Sequence, residues 1–226
     1  MEDGSRLGRP AVEWAGRMTV VESKFDSDVF GYRVGKVEMG SRPPFWRPHT
    51  PFDVVFVKVD EWVYPEVHVE ALDYRYEMEL PGKPLSSGGS FIRAPQTPPE
   101  TLKQLAREAF VGSRFFRDER LREKAPELYA RWLEGEGRCW TLPDFADDAF
   151  LLQTWDGDVA RISLIAVRGQ RRGEGLGRKL MEGVLSSIPA PSWKVCVSAG
   201  NVQAVQFYLS AGFKIVSCST AYHIWA

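Results

Sequence analysis

Two stretches of this chain place chemically useful residues at telling intervals. The first, Gln170-Arg171-Arg172-Gly173-Glu174-Gly175-Leu176-Gly177, joins an apolar run, Ile162 to Val167, to an amphipathic run from Arg178 to Leu185. Strand, glycine-rich turn and helix start together make a holder for phosphate: glycines adopt backbone angles closed to other residues, free amides converge on the anion, and the helix dipole adds attraction. The bland alternative is a tight strand-to-helix connection. The spacing of Gly173, Gly175 and Gly177 disfavours a dinucleotide fingerprint, and no Gly-Lys-Ser/Thr follows as a Walker loop requires.

The second stretch runs from Asn201 to Phe213. Asn201 and Tyr208 stand about two helical turns apart and so project along one side of a helix. A neutral phenol, with a reference pKa of about 10, still carries its proton at pH 7 and can give it to a departing group that gains negative charge. Asn201 equally suits a helix N-cap, and Tyr208 equally suits an amphipathic core position.

The elements that must position these residues follow from pattern. Residues 1–18 lack periodicity and read as a tail. Residues 19–80 read as a small α/β or mainly β lobe, with a strand over Tyr32 to Met39 that changes phase at Gly35 as a bulge would, a buried strand at Val54 to Val59, and a strand with one wet face around Tyr74, Tyr76, Met78 and Leu80. Pro43, Pro44, Pro48 and Pro51 mark an irregular connection, and residues 81–96, rich in Pro, Gly and Ser, read as a linker. From 97 a helix is expected, with a capping box between Thr97 and Glu100, then a second from near Pro126 ending at Gly135 and Gly137. Strands are expected at Arg138 to Leu142, Ala149 to Thr154 and Asp158 to Val167, with a hairpin turn at Asp156-Gly157. After the glycine-rich turn and its helix come a strand at Trp193 to Ser198, a helix at Val202 to Ser210, and a terminal pair of strands over Phe213 to Trp225.

Gln170-Arg171-Arg172-Gly173-Glu174-Gly175, this order of elements, and the later Asn201, Tyr208 and Gly212-Phe213 resemble the GCN5-related N-acetyltransferase (GNAT) superfamily. The resemblance implies an α/β (α+β) fold with a mixed, mostly antiparallel central sheet flanked by helices, residues 97–226 forming the acyl-CoA-binding catalytic domain. It implies that Gln170, Arg171, Arg172, Gly173, Glu174, Gly175, Leu176 and Gly177 hold the pyrophosphate of acetyl-CoA or another acyl-CoA. Asn201 would meet the pantetheine arm and Tyr208 would be the general acid at the sulfur. Leu164, Ile165 and Val167 would offer backbone groups where a bulge splays the central strand from the next one. Asp26 to Gly31, Ala109 to Phe115 and Tyr129 to Trp132 are similar to segments of dTDP-fucosamine acetyltransferase-type members, whose acceptor is the amino group of a nucleotide-linked sugar. Ser113, Arg114 and Phe115 fall where acceptor-side residues gather.

The expected reaction is thus transfer of a short acyl group to a primary amine of a small molecule by direct attack in a ternary complex. Two alternatives stand beside it: an acyl group delivered on the phosphopantetheine of an acyl carrier protein, with Arg168, Arg171 and Arg172 facing that acidic partner, and a non-catalytic acyl-CoA sensor. At 226 residues with a formal net charge of −1, the chain lacks the concentrated basic surface that nucleic acid or an anionic membrane demands. Cys139, Cys196 and Cys218 have no paired spacing, and no apolar run approaches the roughly 20 residues of a membrane span, so a soluble cytoplasmic protein with reduced thiols is expected. His49, His68 and His223 share no spacing, so no metal is expected; Asp144, Asp147 and Asp148 read as a solvated acidic loop, Asp26 and Asp28 as turn caps. A homodimer is left open.

Overall fold

Unbroken apolar runs such as Val54 to Val59 suit strands covered on both faces. In the structure, a computed structural model, that run is a strand inside a single mixed sheet. The structure describes residues 11–14, 18–40, 50–63, 69–82, 95 and 97–226. In chain order the elements are β1 (Ala11–Trp14), β2 (Met18–Glu22), α1 (Lys24–Phe30), β3 (Val34–Met39), β4 (Val54–Val59), β5 (Glu70–Pro81), α2 (Glu100–Ala109), α3 (Arg114–Arg117), α4 (Ala125–Glu134), β6 (Arg138–Thr141), β7 (Ala149–Asp156), β8 (Val159–Val167), α5 (Leu176–Ser187), β9 (Ser192–Ser198), α6 (Val202–Ser210) and β10 (Lys214–Trp225). The ten strands among the described residues lie in the order β1-β2-β3-β4-β10-β5-β9-β8-β7-β6. Among the described residues β3–β4 and β8–β9 run parallel and the other neighbours antiparallel. This is the mixed, mostly antiparallel sheet that the sequence suggests.

Several local expectations are corrected. Asp26 and Asp28, expected to cap a turn, lie inside the short helix α1, which Gly31 closes in the left-handed region at φ +72. No bulge marks Gly35, which pairs in unbroken register between Val34 and Lys36; a Cβ there would come within 2.5 Å of Val20 and 2.8 Å of Phe52, so the glycine serves close packing. The helix expected from Thr97 starts later, at Glu100, with Pro99 at its N-cap and no side-chain cap. Pro99 keeps Pro98 out of the helical region, so the capping box cannot form. The prolines Pro43, Pro44 and Pro48, most of the 81–96 stretch and of the tail, His49 and His68 lie outside the described residues.

The largest correction concerns the end of the chain. Instead of two terminal strands there is one, β10, antiparallel to β4 on one side and to β5 on the other. β5, from the first half of the sequence, lies between β10 and β9, with Glu77 opposite Cys196 and Cys218 opposite Tyr76. One core packs α1, α2 and α4 against a sheet face through Phe30, Phe56, Leu102, Leu128 and Phe150, so it draws on both halves of the chain. A second packs α5 and α6 against the opposite face through Met78, Leu180, Trp193 and Phe213. None of the described helices is long and apolar enough to cross a membrane.

Candidate active site

The site begins with one extra residue in β8. The register with β7 slips between Leu152↔Leu164 and Gln153↔Ile162, leaving Ser163 as an insertion. A bulge bends its strand and tightens the twist. Accordingly the parallel pairing with β9 runs only from Ala160↔Trp193 to Ile162↔Val195, and β8 parts from β9 beyond it. The insertion also exchanges faces: Ala160 and Ile162 pack beneath α5 and α6, whereas Leu164 and Ala166 pack beneath α2 and α4.

A cleft of about 540 Å³ opens there, lined by Ile165 and Val167 of β8, Arg172, Gly173 and Gly175 of the turn, Asn201 and Phe207 beside α6, and Phe110 at the end of α2. Gly173 and Gly175 have φ +87 and +77, and a Cβ on either would meet nothing within 4 Å. Their backbone angles need glycine, and the space before them is open. Gly175 is the N-cap of α5 and no side chain caps the helix, so its first-turn amides and dipole face that space uncompensated. These features fit a pyrophosphate group. Gly177 serves otherwise: a Cβ there would touch Val167 at 3.5 Å and Phe207 at 3.7 Å, so it lets α5 approach the strand.

The arginines of the turn divide into two kinds. Asp148 takes Arg168 through Oδ1 at 3.1 Å and Arg171 through Oδ2 at 3.4 Å, and Arg171 also pairs with Glu174 at 3.2 Å. Arg172 donates to the Val167 carbonyl at 3.2 Å and lines the cleft, as does Arg178, which donates to Ser210 Oγ at 2.7 Å. Asp148 is therefore no solvated charge, as the acidic loop was expected to be; it anchors the turn.

Asn201 both caps α6, accepting from the Ala204 amide at 3.1 Å, and lines the cleft. Ala204 continues that lining, and Tyr208 follows on the same helical face. Tyr208 is 4% exposed, with its ring 5.2 Å from Phe207 and 5.5 Å from Phe213. It does not itself line the cleft, and its hydroxyl has no hydrogen-bond partner among the described residues. Burial pushes its phenol pKa upward. Of the other expected donor-side residues, Leu164 is core, and Gln170 and Glu174 are exposed outside the cleft lining.

On the α2 and α4 face, Ser113 and Arg114 begin α3, and the Arg114 guanidinium lies 4.2 Å above the Phe115 ring. Phe115 itself is buried among Phe30, Phe56 and Tyr129. Asp26, read as a turn cap, is 1% exposed and ion-paired with Lys36. His223, to which the sequence assigned nothing, is wholly buried with Nδ1 2.7 Å from Asp118 Oδ2.

Comparison with known proteins bears on the fold and the family. Residues 151–222 match the family model described as an acetyltransferase (GNAT) domain. The dTDP-fucosamine acetyltransferase of Escherichia coli O6:H1 is 28% identical over 165 residues, which span 66% of this chain and 68% of that protein. A solved GNAT-family acetyltransferase structure from Novosphingobium aromaticivorans has a TM-score of 0.51 at 17% identity, covering 76% of this chain and 73% of its own. A conserved protein from Staphylococcus epidermidis, described as functionally unknown, has a TM-score of 0.61 at 10% identity, covering 95% and 93%. At these identities the two structures speak to the fold.

Proposed function

We propose that this chain, whose residues 151–222 match the GNAT acetyltransferase domain model, moves an acetyl or other short acyl group from acyl-CoA to a primary amine of a small molecule. The observation that carries this reading is the meeting, in one cleft, of an uncapped helix start behind two glycines at positive φ with the parting of β8 from β9. Gly173, Gly175 and the first-turn amides of α5 would hold the pyrophosphate. The arm would run past Asn201 along the open edge of β8, where backbone groups of Ile165 and Val167 are available to its amides.

Acyl-CoA supplies an activated thioester. The amine nitrogen attacks the acyl carbon, the carbon–sulfur bond breaks, the nitrogen's proton passes to water, and Tyr208 protonates the departing thiolate. Burial keeps the phenol protonated across the working range but makes it a weaker acid, so its part begins with the hydrogen bond it gives the sulfur as charge builds there. Holding amine and thioester together supplies most of the rate through orientation. A nucleotide-linked amino sugar is the acceptor we favour, on the strength of the similarity to dTDP-fucosamine acetyltransferase. CoA is favoured over a carrier protein because Arg171, Arg172 and Arg178 all line the cleft, where they would meet a ligand inside it, and Arg168 and Arg171 are already paired with Asp148.

The test is to incubate the protein with acetyl-CoA, longer acyl-CoAs or acyl carrier protein and a panel of amines that includes dTDP-amino sugars, and to weigh the products by mass spectrometry. Transfer from acetyl-CoA is expected. Transfer from the carrier protein alone defeats the CoA reading, and tight CoA binding without transfer to any amine points to a sensor.

A further inference from the structure

Arg114 is the cation left without a carboxylate in a crowded polar cluster. Around it, Asp73 accepts from Arg117 at 2.8 Å and Ser198 at 2.6 Å and has Arg75 at 3.9 Å. Asp26 is taken by Lys36 and Ser23. Asp118 is taken by His223 at 2.7 Å, by Trp225 at 3.1 Å and by the Arg120 amide at 3.1 Å. Glu77 faces Arg161 at 3.3 Å and Lys194 at 3.8 Å. Among the described residues none of these anions remains for Arg114.

Its position is nonetheless fixed. The guanidinium rests on Phe115, whose ring is wedged between Phe30 at 5.8 Å and Phe56 at 5.5 Å. Burial, together with Arg75, lowers its pKa to about 10, so it is charged at neutral pH but poorly solvated. A half-buried cation without a counter-ion costs stability, and a fixed planar guanidinium is suited to grip a carboxylate or phosphate with two parallel hydrogen bonds. Ser113 Oγ beside it is buried against the Tyr129 phenol without a well-formed hydrogen bond.

Its location relates it to the reaction. Phe115 belongs to the core on the α2 and α4 face of the sheet, whereas α5 and α6, which frame the donor cleft, pack on the opposite face. Phe110 connects the two regions, lining the cleft and stacking on Tyr129 at 4.6 Å. We infer that Arg114 anchors an anionic group, a phosphate or a carboxylate, carried by the acceptor amine. This rests on the acyl-transfer reading, and it adds that acceptors are amines bearing a negative charge remote from the nitrogen.

Two measurements test it separately from that reading. In the first, protein saturated with CoA, so that the glycine-rich turn is filled, is titrated calorimetrically with pyrophosphate and with succinate. The wild type is expected to bind at least one of them, Arg114→Gln to weaken binding at least tenfold, and Arg114→Lys to keep part of it; the stronger of the two anions identifies the group. Failure of the wild type to bind either anion, or unchanged binding by Arg114→Gln, overturns the proposal. In the second, acetyl transfer is compared between glucosamine and glucosamine 6-phosphate, and between amino acids and their amides. The charged member of a pair is expected to have the lower KM, and Arg114→Gln to raise that KM about tenfold, so that the preference for the charged member is lost. Transfer with no charge preference sinks the anion site and leaves acyl transfer standing; anion binding that depends on Arg114 with no transfer to any amine supports the site and defeats acyl transfer.

Discussion

His223 Nδ1 stands 2.7 Å from Asp118 Oδ2, tying β10 to the turn after α3 across 105 residues of chain. Burial tends to raise the Asp118 pKa, but hydrogen bonds from His223 and Trp225 outweigh it and hold the carboxyl below its ordinary value. The ionised carboxylate fixes the imidazole proton on Nδ1. Burial in turn lowers the His223 pKa from 6.5 to about 4.

Acid should therefore weaken the fold. Between about pH 6.5 and 4 the unfolded chain protonates His223 while the folded chain does not, so stability is full above the upper value and lost as pH falls through the window. The loss across the whole window is on the order of 3 kcal/mol. Urea unfolding at pH 7, 5.5 and 4.5 is expected to show it, and His223→Gln to flatten the profile in that range. Equal acid sensitivity in the two proteins would contradict the assignment.

Tyr208→Phe is expected to lower kcat about 100-fold while CoA affinity changes less than about twofold. Because the hydroxyl has no partner, its removal should leave the melting temperature unchanged or slightly raised. A destabilised variant with weak CoA binding would mark Tyr208 as a purely structural residue.

Gly175→Val forces a branched side chain into a left-handed backbone and places it in the open space before α5. Donor affinity, read by calorimetry, should fall at least tenfold while kcat at saturating donor changes little. Undiminished CoA binding would remove the turn from the donor site.

Asp148→Asn frees Arg168 and Arg171 from their shared partner. The turn should loosen and CoA affinity should drop about three- to tenfold, with faster amide exchange over residues 168–175. Wild-type exchange rates in the variant would show that the pairing is incidental.

The parts of the proposed site that the sequence suggests are local ones. Gly173, Gly175, Asn201 and Tyr208 lie on one turn and one helix, where spacing in the chain translates directly into direction. Asp148 was missed for a definable reason. Counting back from the Gly157 turn without a bulge sets Asp148 opposite Val167, and only the insertion of Ser163 carries it opposite Arg168. A bulge moves the register by one without any residue type announcing it. Arg114 and His223 were opaque in another way, since their meaning lies in which distant carboxylates are already taken. The end of the chain misled because its apolar pattern says that β10 has neighbours but not which strand supplies them.

The placing of β5 between β9 and β10 has a consequence for dissection of the protein. A fragment starting after residue 82 would retain the residues that line the donor cleft, yet it would bare the edge of β9 and leave β10 without either of its neighbours, β4 and β5. Such edges recruit strands from other molecules, so the fragment should aggregate unless the first 82 residues are supplied. Asp73 and Ser198 meet across 125 residues, and contacts of that span form late. The first half thus acts toward the second as a built-in chaperone, lending the strand without which the catalytic sheet stays open.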